Sequence, residues 1–338
     1  MLNNIYKIVV KKVKKINILI TSVGTRNKII QYFKKELNGR GKVIATDCSD
    51  LAPAIYEADK FYLTRRITEE GYLEEILEIC KKEKVDTIFT LIDPEISLIS
   101  KNIEKFKNIG VTPIVSDYEK VEMCFDKYEM FKFLESNGFK TAKSYIDKEK
   151  FYSDLENNKI NFPVFVKPVR GSASININKI SSKEELDVIW NQSKDLMIQE
   201  FMNGQEYGAD VYIDMISKET VAIFVKKKIK MRAGETDKSV SYKDGKLFDL
   251  IKDFTQKAKF KGIIDIDIFE VNGEYYISEV NPRFGGGYPH AYESGVNIPK
   301  LIINNITGLV NEEKIGNYDE EIYMMKYNEI KIINLNEI

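Results

Sequence analysis

Three residues of this chain, Asp267, Glu279 and Asn281, carry side-chain oxygens within what reads as one β-hairpin. They lie in residues 263–287. There Ile-Ile-Asp-Ile-Asp-Ile-Phe-Glu-Val precedes Asn272-Gly273, and Glu-Tyr-Tyr-Ile-Ser-Glu-Val-Asn-Pro-Arg-Phe and three glycines follow. Carboxylates inside otherwise apolar strands are costly to bury, so they persist where something positive sits against them. Carboxylate and amide oxygens suit Mg²⁺, which proteins hold with one or two carboxylates together with nucleotide phosphates. Asn272-Gly273 signals a hairpin turn. A two-residue loop sets Asp267 opposite Ser278. A three-residue loop, residues 272–274, pairs Val271 with Tyr275 and sets Asp267 opposite Glu279. Side chains alternate along a strand, so Glu279 and Asn281 share a face. The three-residue register is the expectation, since it alone converges Asp267, Glu279 and Asn281 on one point. The competing reading is an exposed edge hairpin with its charges in water.

A second group of residues suits phosphate. Phe165-Val166-Lys167-Pro168 ends an apolar strand on a lysine, and Gly171, Ser172, Ala173 and Ser174 follow shortly after. A loop of small residues lets backbone N–H groups approach phosphate oxygens. The same pattern also fits a plain hairpin with a solvated lysine. Further along, Gln199-Glu200-Phe201-Met202-Asn203-Gly204-Gln205-Glu206 runs from a strand into an acid-bearing turn. Extended backbone there could bond an adenine edge, and Glu206 could accept from ribose hydroxyls.

These residues need elements to hold them. Residues 16–21, 42–46, 87–91 and 111–115 read as strands, and 28–37, 72–83 and 95–106 as helices. Such alternation predicts a parallel sheet with helices on its faces, binding ligands beyond the carboxyl ends of its strands. The loops 22–27, 47–53 and 92–95 fall there. Residues 127–137 read as a helix with Asp126 as N-cap and Gly138 as its end. After it the pattern changes to strands at 164–168, 175–180 and 197–201, with a helix at 183–190. Longer strands follow at 209–215 and 220–232, and a helix at 247–258. The expected division is 1–118, a Rossmann-like parallel-sheet domain; 119–200, a lid with a linker helix at 127–138; and 201–338, bearing the metal site.

Composition excludes several classes. The 338 residues suggest two or three domains, and 43% hydrophobic content allows packed cores. Basic and acidic residues number 51 and 52, for a formal charge of −1, which argues against a nucleic-acid surface. Cys48, Cys80 and Cys124 are far apart and odd in number, as reduced thiols would be. A single histidine, His290, rules out a histidine-rich metal site. No window approaches a membrane span and residues 1–15 lack a signal-peptide core, so a soluble cytoplasmic protein without a membrane partner is expected. The loop after the first strand holds one glycine where a dinucleotide fingerprint needs three, and no P-loop motif occurs.

Taken in order, the lysine-bearing helix, the strand–Lys–Pro–small loop, the Gln-Glu-Phe-Met hinge and Asp…Glu-x-Asn-Pro-Arg resemble the ATP-grasp superfamily. The likeness is closest to carboxylate–amine ligases similar to the carbamoyl-phosphate synthase large chain and biotin carboxylase, and it spans about residues 16–310. It implies an α/β fold, α+β in the ATP-binding half, with ATP and Mg²⁺ (or Mn²⁺) as cofactors. By the same resemblance Lys127 and Lys167 are phosphate-binding cations, and Gly171, Ser172, Ala173 and Ser174 form a flap over the phosphates. Glu200, Phe201 and Met202 contact adenine, and Glu206 binds ribose. Asp267, Glu279 and Asn281 are the metal ligands. Arg283 stabilises an acyl phosphate and the oxyanion that follows. Arg232, in a substrate-facing loop of residues 230–236, approaches the γ-phosphate or the carboxylate. The neighbouring Lys226, Lys227, Lys228 and Lys230 read as a solvated face.

The reaction so implied activates a carboxylate as an acyl phosphate, with ATP going to ADP, and passes the acyl group to an amine. Its partners are then a small-molecule carboxylate and an amine. Specificity is expected from Arg26, Asp93 and Glu95 in the first domain, and from Gly286, Gly287, Tyr288 and His290. His290 reads either as a general base or as a hydrogen-bonded structural residue. The alternatives are a split carbamoyl-phosphate synthase-like subunit using bicarbonate, and a catalytically silent ATP-binding regulator. Dimerisation, common among the resembled proteins, is not readable from the sequence.

Overall fold

The computed structural model describes residues 15–171 and 177–334. Ser172, Ala173 and Ser174 lie outside the described residues, as do two positions of the strand expected at 175–180. Among the described residues the strands form three sheets.

The first sheet is parallel, with order β3-β2-β1-β4-β5. Its strands are β1 (Ile18–Thr21), β2 (Val43–Asp47), β3 (Lys60–Leu63), β4 (Thr87–Thr90) and β5 (Thr112–Pro113). Strands β1 and β4 are buried along their length, as central strands between helical layers are. Helices α1 (Asn27–Leu37), α2 (Tyr72–Glu83), α3 (Asp93–Lys101) and α4 (Ile103–Lys107) cover it. The single helix expected at 95–106 is broken at Asn102. Residues 93 and 94, expected as loop, join Glu95 in the first turn of α3, where Pro94 is tolerated because its missing N–H has no intrahelical partner. Strand order reverses between β1 and β4, and ligand crevices open at such a switch point. The loop leaving β1 carries Arg26, at the N-cap of α1, and α3, which follows β4, opens on Asp93.

Helices α5 (Tyr118–Phe125) and α6 (Lys127–Ser136) lead to an antiparallel sheet of order β6-β9-β7-β8. Its strands are β6 (Ser144–Tyr145), β7 (Val164–Pro168), β8 (Asn178–Ile180) and β9 (Leu196–Glu200), with α7 (Lys148–Glu156) and α8 (Lys183–Trp190) packed on it. Asp126 caps α6 by accepting from the Tyr128 and Glu129 N–H groups, as its position predicts.

The third sheet is antiparallel, of order β14-β13-β10-β11-β12-β15. It comprises β10 (Gln205–Ile213), β11 (Thr220–Arg232), β12 (Glu235–Tyr242), β13 (Gly262–Val271), β14 (Glu274–Asn281) and β15 (Tyr323–Met325). Alternation along β10 and β13 turns Tyr207, Ala209, Val211, Ile264, Ile266 and Ile268 into a core against α9 (Gly245–Ala258). The opposite face is apolar at one end, where Tyr212, Phe224 and Ile263 join the first domain in a shared core. That core takes in Phe284 and Tyr288, the latter opening α10 (Tyr288–Glu293), and residues of α11 (Ile298–Ile306). Toward its other end this face is charged.

The hairpin register departs from expectation in its turn and agrees in its pairing. Val271 pairs with Glu274, so the loop is the two residues Asn272 and Gly273, both at positive φ (52° and 77°) as the tight turn requires. A β-bulge at Ser278 then shifts the ladder by one residue, and Asp267 stands opposite Glu279 after all. The same bulge explains why Ile277 and Val280, three positions apart, are both buried in one core.

Candidate active site

The three sheets meet around a cavity of about 540 Å³. The first domain contributes Arg26 and Asp93; the second sheet contributes Phe165, Lys167, Gln199 and Glu200. The third sheet contributes Glu206, Lys228, Asp265, Asp267, Glu279 and Asn281, and Arg283, Gly286 and Gly287 follow it. Most of the residues singled out in the sequence are thereby brought together.

The charged face of the third sheet forms the floor. Asp265 pairs with Asn281 and Asp267 with Glu279 across β13 and β14, while Asp210 and Gly208 stand beside them on β10. Asp265 escaped the sequence reading, although its spacing of two from Asp267 was the signal that it shares this face. Burial, and then the neighbouring Asp267 and Asp210, push the Asp265 carboxyl up to about 7. The lysines of β11 are a correction, because Lys226 and Lys228 are not solvated. Lys226 is 1% exposed and ion-paired with the fully buried Asp210. Lys228 bridges Glu206 at 2.7 Å and Asp267 at 2.6 Å. Burial works against its charge, but Asp267 and Glu206 outweigh it and hold its pKa above the ordinary value. A Cβ on Gly208 would stand 3.2 Å from Cε of both lysines, so a glycine there makes room for them. Alternation on β11 was the signal missed: every second lysine turns inward.

Asp267, Glu279 and Asn281 share the cavity face, but their oxygens do not converge on one point. Asp267 is turned to Lys228, and Asn281 Oδ1 accepts from Arg283 at 3.2 Å. Among the described residues no group of three or more His, Cys, Asp and Glu side chains is spaced to hold an ion. The donor chemistry nonetheless fits a divalent cation. Seven carboxylate residues line the cavity (Asp93, Glu200, Glu206, Glu235, Asp265, Asp267 and Glu279) against four cationic ones (Arg26, Lys167, Lys228 and Arg283). The raised pKa of Asp265 and the unpartnered Oδ1 of buried Asp210 report the same shortage of positive charge.

Lys167 is 8% exposed, and burial, with Lys127 adding, lowers its pKa to about 8 against the pull of Glu279. Lys127 donates to the Gly171 carbonyl at 2.5 Å, just outside the cavity lining, and burial lowers its pKa too. Glu200 and Met202 line the cavity with Phe165, Ile177 and Phe269. Phe201 does not. Its ring packs against Phe165 and beneath the Lys179 ammonium.

Arg283 is held rigidly. Its Nε and Nη2 donate to the two Asp93 oxygens at 2.9 and 3.1 Å, and Nη1 donates to the Phe284 carbonyl. Phe284 itself is wedged between Phe33, Phe89 and Tyr288. Burial opposes the charge of Arg283, but Asp93 more than compensates.

Four expected site residues fall elsewhere. Arg232 is exposed and paired with Asp237 at 3.3 Å, because strand alternation turns it away from the cavity that Met231 and Ala233 line. Glu95 is fully buried and accepts from the hydroxyls of Ser22, Tyr72 and Thr90, so it braces the first domain. The Tyr288 hydroxyl bonds the Val296 carbonyl and the Ile298 N–H, which occupies it. His290 is 2% exposed. Its Nε2–H donates to the Ile322 carbonyl and its Nδ1 accepts from Ser239, so it is structural rather than a base. Gly286 and Gly287, expected to help set specificity, line the cavity, and with Gly285 they let other groups come close. The groups that approach are the chain's own: added Cβ atoms would lie 2.5 Å from Asp265, 2.6 Å from Glu235 and 2.8 Å from Lys226.

Residues 18–114 match a PylC-like N-terminal domain, and residues 124–287 match an ATP-grasp domain. The chain is 24% identical over 263 residues to the arginine-specific carbamoyl phosphate synthase large chain of Bacillus subtilis, covering 73% of this chain and 24% of that protein. It is 26% identical over 245 residues to phosphoribosylamine–glycine ligase of Fusobacterium nucleatum, covering 63% of this chain and 56% of that protein. The chain thus spans about a quarter and about half of these two relatives. The biotin carboxylase domain of 2-oxoglutarate carboxylase from Hydrogenobacter thermophilus, solved with MgADP and bicarbonate, superposes with a TM-score of 0.72 at 16% identity. The alignment covers 91% of this chain and 73% of that one. A parallel-sheet domain, a four-stranded antiparallel sheet and a charged third sheet around one cavity, matched by both family models in order, place this chain in the ATP-grasp superfamily.

Proposed function

We propose that the protein is an ADP-forming ligase that activates a carboxylate as an acyl phosphate and joins it to an amine. The observation that carries this is the cavity lined jointly by Lys167, by Glu200 and Met202 of the hinge, and by the Asp265, Asp267, Glu279 and Asn281 floor. ATP and Mg²⁺ are its cofactors. The residues that would hold Mg²⁺ are Asp267, Glu279 and Asn281, with Asp265 beside them. When bound, the cation neutralises phosphate charge, the main requirement of phosphoryl transfer.

The chain's own groups account for the remainder. Apolar Phe165, Ile177, Met202 and Phe269 form a slot for a purine, with hinge backbone at its edge. Glu206, which accepts from Lys228 in the free protein, would bind the ribose. Lys127 and Lys167 would draw the polyphosphate, and Arg283, fixed by Asp93, would stabilise the acyl phosphate. Residues 1–118 present the acid, 119–200 act as the lid, and 201–338 carry the metal site.

A screen of paired acids and amines for MgATP-dependent ADP and phosphate release tests the reading. Glu279→Gln should abolish release while leaving the melting temperature near that of the parent. Near-normal turnover in that variant would refute it. ADP release with bicarbonate and ammonia alone would favour the synthase-like reading, and MgATP binding without turnover across the panel the silent regulator.

A further inference from the structure

We infer that Arg26 is the cavity's receptor for an anionic oxygen group of the substrate, a carboxylate or phosphate, which it takes in exchange for Glu235. The inference rests on the reading of this cavity as an acid-activating site.

Two arginines line the cavity, and they differ in commitment. Arg283 spends its donors on Asp93, Asn281 and the Phe284 carbonyl. Arg26 has one ion pair, Nη2 to Glu235 Oε1 at 2.7 Å, and its guanidinium makes no well-formed hydrogen bond to any acceptor among the described residues. Its side chain is 23% exposed, and burial and then the nearby Arg283 lower its pKa despite Glu235. A guanidinium has five N–H donors in a fork that matches carboxylate and phosphate oxygens. Most of them meet no protein acceptor among the described residues at this cavity wall, so the position favours an acceptor brought by a ligand.

Glu235 is built to be exchanged. It follows the Ala233-Gly234 turn between β11 and β12, and its second oxygen accepts from Lys326 at 2.7 Å. When Arg26 turns to a ligand, Glu235 keeps Lys326 and is not left bare. Its carboxylate rests against Gly286, where a Cβ would lie 2.6 Å from Cδ. Arg26 and Lys326 thus share one carboxylate, so this corner lacks a second acceptor although acids outnumber bases in the cavity as a whole. Asp93 cannot supply it, being bidentate with Arg283. The substrate's own anion completes the balance.

The test is calorimetric titration of the full chain, saturated with MgADP, with propionate, succinate and inorganic phosphate. At least one probe should bind. Arg26→Gln should weaken that binding about 10- to 100-fold, the loss of charge-assisted hydrogen bonds. Glu235→Gln removes the competitor and should tighten it severalfold. MgADP affinity and the melting temperature should stay near parental in both. Preference for succinate over propionate assigns Arg26 to a second anionic group; equal binding assigns it to the carboxylate that is activated. A merely structural ion pair predicts the same loss in both variants, and that result, or unchanged binding in Arg26→Gln, overturns the inference. So does a parent that binds MgADP but none of the probes. A parent that fails to bind MgADP defeats the nucleotide reading and this inference with it.

Discussion

Nucleotide binding should take up protons above neutral pH, because Lys167 meets the phosphates only partly charged. Its pKa in the free protein is about 8 instead of 10.5, with burial the chief cause. Half of the molecules therefore carry a neutral Lys167 at pH 8. A bound polyphosphate favours the ammonium and restores its pKa toward the ordinary value. Uptake is then about 0.1 proton at pH 7, about 0.5 at pH 8 and about 0.9 at pH 9. Nucleotide affinity should fall by up to about tenfold per pH unit above 8. Calorimetry of MgADP binding in buffers of different ionisation heat reads the uptake directly. Lys167→Arg stays charged throughout and should bind without it. No uptake in the parent at pH 9, or equal uptake in the arginine variant, would refute the reasoning. The same shift has a sign for the free protein. The unfolded chain binds more protons between about pH 8 and 10.5, so stability should rise with pH there, by on the order of 3 kcal/mol from this group.

Asp93→Asn strands the buried Arg283 guanidinium and should cost about 3–5 kcal/mol, read from urea unfolding; an unchanged midpoint would show that Phe284 alone seats the arginine. Gly285→Ala and Gly287→Ala set a methyl 2.5 Å from the Asp265 carboxylate and 2.8 Å from the paired, buried Lys226, and should lose about 1–3 kcal/mol each. Gly286→Ala meets the end of the 39%-exposed Glu235 side chain, which can swing away, so its melting temperature should stay near parental. Equal losses in all three contradict this account of the glycines. His290 is held neutral, its pKa lowered to about 4 by burial and by Lys226. Its contribution is complete above about pH 6.5 and is lost as pH falls toward 4, where only the unfolded chain takes the proton. His290→Gln should flatten stability over that window, and an unaltered pH profile would exclude His290 as its source.

Local pattern was enough to read four of the five strands of the parallel first sheet (β3, Lys60–Leu63, was missed), the capped helix at Asp126, and the oxygen-bearing face of the hairpin. Each follows from neighbours in sequence: β and α periodicities, a capping side chain, and side chains two apart on a strand. Even there the turn was misread, because a bulge at Ser278 is a ladder irregularity that alternation cannot register. Among the described residues no helix is long and apolar enough to cross a membrane, as the composition implied. What folding alone settled is which charge answers which. Arg283 finds Asp93 from another domain, Arg26 finds Glu235, and three glycines prove to be space for Asp265, Glu235 and Lys226. These pairings depend on how sheets pack against one another, and a Coulomb partner hundreds of positions away leaves no periodic trace along the chain. The lysine run shows the same limit: composition reads it as solvated, whereas the strand beneath it turns alternate members into a buried floor.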